Sequence, residues 1–248
     1  MPTVIEDTDM TMKKLERELH YQFTEASLLT RALTHSTYAY ENPEVGLDNE
    51  RLEFLGDAVL QLVISEALFR RRARFPEGDM TKMRALVVCE QTLADVAKSI
   101  NLGEYLLLGK GELGTGGRQK PSNTANAMEA VFGAIYLDGG FDAVSQVVTL
   151  LLTPYLEMAM AGDLVYDYKS RLLELVQSTR GSSQMRFEII NEDGPVHERV
   201  FTAAVIVDEQ PVAQGVGNSK KEAEQQAARE ALKLLHCTRE GCTLHDLI

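Results

Sequence analysis

Cysteine is scarce in this chain: there are three, Cys89, Cys237 and Cys242, in 248 residues. An odd count without a metal-binding spacing argues against a disulfide framework or a cysteine-based metal site, so the thiols read as reduced and structural. Long apolar runs are missing too. None approaches the roughly 20 residues that a bilayer span requires, and residues 1–9 are acidic where a secretory leader would be basic and then apolar. The expectation is a cytoplasmic protein with no membrane partner. Positive charge is the third shortage. Lys and Arg number 25 against 37 Asp and Glu, a formal net charge of -12, which is the wrong sign for a surface that holds phosphates. The excess sits mainly in residues 1–166, with 24 acids to 15 bases, against 13 to 10 in residues 167–248. An acidic face that works on phosphates implies bound metal, but charge alone leaves that open.

What is present is the balance of a globular protein, 44% hydrophobic and 25% charged, at a length that suits two domains. Residues 10–156 read as successive amphipathic helices, with apolar residues at three and four such as Leu52, Leu55, Val59, Leu62 and Val63. Residues 109–124 hold five glycines and Pro121 and read as a mobile loop between helices. They are not a phosphate-binding P-loop, because Gly111 and Gly116 are not followed by Lys and Ser or Thr at the required spacing. After a linker at 157–166 the texture changes to a helix from Tyr168 to Ser178, three short strands rich in Val, Ile and Phe, and a helix from Lys220 to about Leu235. Turn residues separate the strands at Gly194-Pro195 and over 208–211. The second domain is thus 167–236, with a tail at 237–248.

The most informative string is NERLEFLGDAVL at residues 49–60. On a helix, Glu50, Glu53 and Asp57 fall within about 60° of one another, away from Leu52, Leu55 and Val59. Like charges at this spacing repel, and no Lys or Arg stands three or four residues from them as compensation. A second helix at 126–137 puts Asn126 and Glu129 on one face, with Ala127, Ala130, Val131 and Ala134 free to pack. If the two helices cross face to face, Glu53, Asp57, Asn126 and Glu129 form an oxygen-rich pocket for a hard cation such as Mg²⁺. Two solvated helix faces would show the same spacing. Asn126 also suits the N-cap of the helix it would begin.

The string resembles the signature of the ribonuclease III family. The likeness extends through Ala32-Leu33-Thr34-His35 with Tyr38, through the segment from Glu77 and Gly78 to Met80, Thr81 and Arg84, and through Glu129-Ala130 to Tyr136-Leu137-Asp138. The resemblance implies an all-α endonuclease domain followed by a small α-β-β-β-α RNA-binding domain. It implies that Glu53, Asn126, Glu129 and Asp57 bind Mg²⁺, with Mn²⁺ as a substitute and no organic cofactor. Asp57 and Glu129 look like the acids most directly tied to catalysis, with Glu50 and Glu77 as supporting acids and Phe54 as a homodimer contact. The family pattern has Asp where this chain has Asn126, which offers one neutral oxygen in place of a carboxylate. His35 reads as structural.

Residues 167–236 resemble a double-stranded-RNA-binding domain: Asp167-Tyr168-Lys169-Ser170, then Gly194-Pro195-Val196-His197 with Phe201, then 215–225, GVGNSKKEAEQ. Ser219 and Glu222 form a capping box that starts a helix, with Lys220 and Lys221 in its first turn. Cations there oppose the helix dipole, so an anion is needed to account for them. By resemblance Ser170, Glu174, Gln177 and His197 match positions that touch 2′-hydroxyls, and Leu173 replaces a common Gln. The expected activity is Mg²⁺-dependent hydrolysis of both strands of duplex RNA, leaving 5′-phosphate and 3′-hydroxyl ends on ribosomal-RNA precursors and structured messengers. A duplex-binding protein whose cleavage is impaired by Asn126 is the alternative. A ribosome-associated structural relative is a third reading, and retention of Glu53, Asp57 and Glu129 weighs against both.

Overall fold

The computed structural model describes residues 4–71, 75–180, 184–195 and 199–237, and divides into two units, 1–164 and 165–248. His197, Cys242 and the tail at 238–248 lie outside the described residues. Cys89 is a free thiol.

The first unit is helical: α1 (Val4–Leu19), α2 (Ala26–Ala32), α3 (Ser36–Glu41), α4 (Glu50–Phe69), α5 (Glu77–Val87), α6 (Glu90–Ser99), α7 (Lys110–Gly114) and α8 (Pro121–Ala161), with short 3-10 turns between some of them. The second helix of the sequence reading is far longer than 126–137. It starts at Pro121, whose fixed φ suits a first helical turn, and ends at Gly162 in the left-handed region. Asn126 therefore lies inside α8 and not at its N-cap. The segment 157–166, expected as a linker, is helical as far as Ala161, and Leu164 is still buried.

α8 is the centre of the unit, with α2, α4, α5 and α6 packed on it. Ala127, Met128, Ala130, Val131, Phe132 and Ile135 are wholly buried. By length and composition α8 could cross a bilayer, yet this apolarity is what a helix surrounded by other helices requires. Past Gly140, whose φ of 78° breaks the helical path, its outer side reopens to solvent. Asp138 ties α8 to the chain before α2, accepting from Tyr21 Oη at 2.6 Å and from the backbone N–H groups of Thr24 and Glu25 at 2.9 Å.

α4 and α8 form the most extensive helix pair. Their approach depends on two glycines. A Cβ on Gly56 would lie 1.8 Å from the Glu129 carbonyl oxygen, and one on Gly133 would lie 2.3 Å from that of Leu52. Backbone meets backbone at this crossing, which brings the acids of both helices to one place.

The segment 109–124 is better ordered than its glycines suggest. It contains α7 and the first residues of α8, and polar groups tie it down. Glu41 accepts from the Lys110 N–H at 3.0 Å, Thr37 Oγ1 from the Gly109 N–H at 3.0 Å, and Glu112 Oε1 from Asn123 Nδ2 at 2.8 Å. Glycine content here reflects close approach: a Cβ on Gly109 would press against Glu41 and Thr37.

The second unit is α9 (Tyr168–Arg180), β1 (Met185–Asp193), β2 (Val200–Val207), β3 (Gln210–Gly217) and α10 (Lys220–Cys237). The sheet is antiparallel in the order β1-β2-β3. Asp208 and Glu209 both have positive φ, 48° and 66°, as a two-residue hairpin turn requires. Leu172 and Val176 of α9, alternate residues of β2 (Ala203, Val205, Val207), and the alanine face of α10 make the core. Gly215 and Gly217 let α10 lie on β3, since a Cβ at either would strike the helix backbone. The α10 cap forms nearly as the sequence implies: Ser219 Oγ accepts from the Glu222 N–H at 3.1 Å, and Glu222 accepts from the N–H of Asn218 at 2.8 Å.

Candidate active site and RNA-facing surface

Glu50, Glu53 and Asp57 occupy the first two turns of α4, and Asn126 and Glu129 lie on α8 just across the glycine crossing. The structure brings Glu53, Asp57, Asn126 and Glu129 together. Glu129 is half-buried; its burial, followed by the charges of Asp57 and Glu53, pushes its pKa up to about 8. Glu53 is raised by burial and then by Glu50 and Asp57, while a hydrogen bond from the Asn126 amide opposes the rise. Asn126 is exposed at this edge. Its amide has one group of each kind, an N–H for Glu53 and a carbonyl oxygen left for a further partner.

Among the described residues no Lys or Arg is paired with Glu53, Asp57 or Glu129. Burial and the neighbouring carboxylates shift Glu129 towards its neutral form, which relieves part of the repulsion within the cluster. No three His, Cys, Asp or Glu side chains among the described residues stand as a ready-made metal cage. The donor set is three carboxylates and a neutral amide, all oxygen ligands, which fits a hard divalent cation and not a soft one.

Gln61 was not legible as part of the site. One turn beyond Asp57 on α4, it donates Nε2 to both carboxylate oxygens at 3.0 Å and so sets their orientation. Its spacing of four from Asp57 is the only signal in the sequence. Glu77 is not brought into the cluster's hydrogen bonds. It begins α5 and, with Leu62, Ser65, Thr81, Arg84 and Phe141, lines a separate groove of about 680 Å³. Phe54 stands 81% exposed on the outer side of α4. His35 caps α3, its Nδ1 accepting from the Thr37 N–H at 3.2 Å, a structural role.

Residues 25–156 match the family model described as Ribonuclease-III-like, and residues 168–235 the one described as Double-stranded RNA binding motif. The chain belongs to the ribonuclease III family. Ribonuclease 3 of Carboxydothermus hydrogenoformans is 48% identical over 227 residues, covering 91% of this chain and 96% of that protein. Ribonuclease 3 of Syntrophomonas wolfei is 50% identical over 218 residues, covering 88% and 91%. The nuclease domain of ribonuclease III from Campylobacter jejuni is 42% identical with a TM-score of 0.54, over 58% of this chain and 97% of that one. This ribonuclease III family member is thus an endoribonuclease of a metal-dependent nuclease family, with a double-stranded-RNA-binding domain after its helical unit.

In that second domain Ser170, Glu174 and Gln177 project from one exposed face of α9. Ser170 donates to Asp167 at 2.7 Å, and Glu174 is 3.8 Å from Arg171. Lys221 is exposed at the start of α10 beside Ser219. Lys220 departs from the expectation of an unsatisfied cation awaiting an anion, because its Nζ is 2.6 Å from Glu192 Oε1.

The raised pKa of Glu129 has a consequence for the metal-free protein. Folded Glu129 holds its proton up to about pH 8, whereas the unfolded carboxyl releases it near 4.5. The stability this contributes is full below about pH 4.5 and is lost as pH rises towards 8, on the order of 2–3 kcal/mol once solvent access is discounted. With chelator present, the melting temperature of the helical unit is expected to fall between pH 5 and 8, and Glu129→Gln to flatten that fall. A melting temperature independent of pH in the unaltered chain would contradict it.

Proposed function

We propose that the chain hydrolyses both strands of double-stranded RNA, using Mg²⁺ held by Glu53, Asp57, Glu129 and the carbonyl of Asn126, with Mn²⁺ as a substitute. The products carry 5′-phosphate and 3′-hydroxyl ends with a short 3′ overhang. The substrates are ribosomal-RNA precursors and structured messengers in the cytoplasm. The carrying observation is the convergence of three carboxylates and an amide where α4 crosses α8, with no basic partner among the described residues. A bound divalent cation would supply the charge that polarises the phosphodiester and acidifies water. Asp57, oriented by Gln61, and Glu129 are the groups this reading assigns to the reacting atoms; Glu50, near enough for its charge to raise the Glu53 pKa, is the supporting acid at the cleft edge. In the second domain, Ser170, Glu174 and Gln177 reach 2′-hydroxyls, and Lys220 and Lys221 meet phosphates beside Ser219, so recognition follows duplex shape more than sequence.

The test is cleavage of a labelled, fully paired RNA of several turns with Mg²⁺ or with chelator, beside Asn126→Asp. Metal-dependent cutting by the unaltered chain is expected. Asn126→Asp is expected to lower the Mg²⁺ requirement severalfold, because a fourth carboxylate replaces a neutral ligand. Tight binding without cutting, restored by Asp, would make the chain a duplex-binding protein and overturn the catalytic reading.

The acting species is a homodimer in which each protomer cuts one strand. The Campylobacter jejuni nuclease domain has a region involved in dimer formation. Here Phe54, Leu62 and Phe69, at spacings of eight and seven, put 81%, 56% and 80% exposed side chains along one side of α4. Such an apolar stripe is what a self-complementary interface buries. Phe54→Glu is expected to convert a sedimenting dimer to monomers; a wild-type chain that sediments as a monomer would refute this.

A further inference from the structure

The cations of the second domain are largely matched by its own carboxylates. Lys169 is paired with Glu224, Arg186 with Glu188 and Glu209, and Lys233 with Glu230. One pairing falls on the surface proposed to meet RNA. Glu192 lies near the end of β1, opposite Phe201 of β2. Lys220, the first residue of α10, passes 5.6 Å over the Phe201 ring and brings its Nζ to 2.6 Å from Glu192 Oε1. Arg199 approaches the other oxygen of the same carboxylate at 3.5 Å. Lys221, next along the helix, has no carboxylate partner among the described residues.

We propose that Glu192 stands in for an RNA phosphate at Lys220 in the free domain and thereby sets the affinity for duplex RNA, as an internal competitor at the interface. The inference rests on the reading that Lys220 contacts phosphate. An ammonium in the first turn of a helix opposes the helix dipole, and the Glu192 carboxylate offsets that cost. A phosphate at Lys220 would lie beside this carboxylate and be repelled by it, so docking requires the pair to exchange. The pair is built to exchange. Lys220 is 59% and Glu192 36% exposed, so neither ion is trapped, and Arg199 remains as a partner for Glu192 after Lys220 leaves. The depressed pKa of Glu192, due first to Lys220, keeps the competitor charged. The consequence is a domain that grips RNA less firmly than its lysines alone would allow.

The experiment is binding of a fully paired RNA of several turns to the full chain, with chelator present to prevent cleavage, across a salt series. Four versions are compared: unaltered, Glu192→Gln, Lys220→Gln, and both together. Glu192→Gln is expected to tighten binding by about two- to fivefold at low salt, with the gain shrinking as salt rises. Lys220→Gln is expected to weaken binding, and in its presence Glu192→Gln is expected to give a clearly smaller gain, because only the direct repulsion of RNA by Glu192 is left to relieve; an equal gain would overturn the exchange. If Lys220→Gln weakens binding but Glu192→Gln leaves it equal or weaker, the competitor role is overturned while the RNA assignment of Lys220 stands. If Lys220→Gln leaves binding unchanged, that assignment fails and the inference falls with it.

Discussion

Exchange of Glu129 for Gln is expected to lower the cleavage rate by about 10³-fold or more, with duplex binding in chelator unchanged. Glu129 is the one acid of the cluster that burial and two neighbouring carboxylates raise to about 8. A divalent cation held there would face three converging carboxylates, and the substitution removes the one nearest the crossing of α4 and α8. Gln keeps the volume and can form hydrogen bonds, so the crossing of α4 and α8 survives. Loss of several kcal/mol of charge stabilisation corresponds to three or more powers of ten in rate. The measurement is single-turnover cleavage over a wide Mg²⁺ range. A variant that recovers the full wild-type rate at high Mg²⁺ would assign Glu129 to metal affinity alone and remove it from the chemistry. Weakened duplex binding in chelator would point instead to a misfolded cleft.

Gly56→Ala is expected to be the most damaging single-methyl change in the helical unit. The new Cβ would overlap the Glu129 carbonyl, 1.8 Å from its oxygen, and backbone cannot rotate away as a side chain can. The two helices must separate, which opens the packing of wholly buried residues such as Leu52, Leu60 and Phe132. A cost of about 3 kcal/mol follows from overpacking a tight core, or roughly a 6–12 °C drop in the melting temperature of this unit. Because Glu53 and Asp57 sit on one helix and Glu129 on the other, the same displacement should reduce cleavage even below the melting point. Gly133→Ala, where the contact is 2.3 Å to the Leu52 carbonyl, should behave alike. Retention of the wild-type melting temperature by Gly56→Ala would show that the crossing is looser than this geometry.

The two substitutions together separate what periodicity reveals from what it hides. A helical repeat is enough to put Glu50, Glu53 and Asp57 on one stripe, and Asn126 with Glu129 on another. It is not enough to say that the stripes meet. The element that makes them meet is a pair of glycines, and a glycine inside a helix reads locally as a weakness. Gln61 was hidden for a similar reason, since an amide four residues from an acid is common on solvated helices. In 109–124 glycine density pointed to a mobile loop, yet the acceptors that order it, Glu41 and Thr37, come from more than 65 residues earlier. Glu192 and Lys220 are 28 residues apart, and only the sheet brings them into contact.

Alone, then, the sequence determined the two-domain order, the helical and α-β-β-β-α texture of the halves, the family, and the residue types available for chemistry. These follow from local spacing, composition and motif. Tertiary structure decided the depth at which α4 and α8 cross, the upward shift of the Glu129 pKa, the outward stripe of Phe54, Leu62 and Phe69, and the carboxylate already seated at Lys220. Each of these depends on distance between groups far apart in the chain, where burial and Coulomb interactions act and sequence periodicity carries no information.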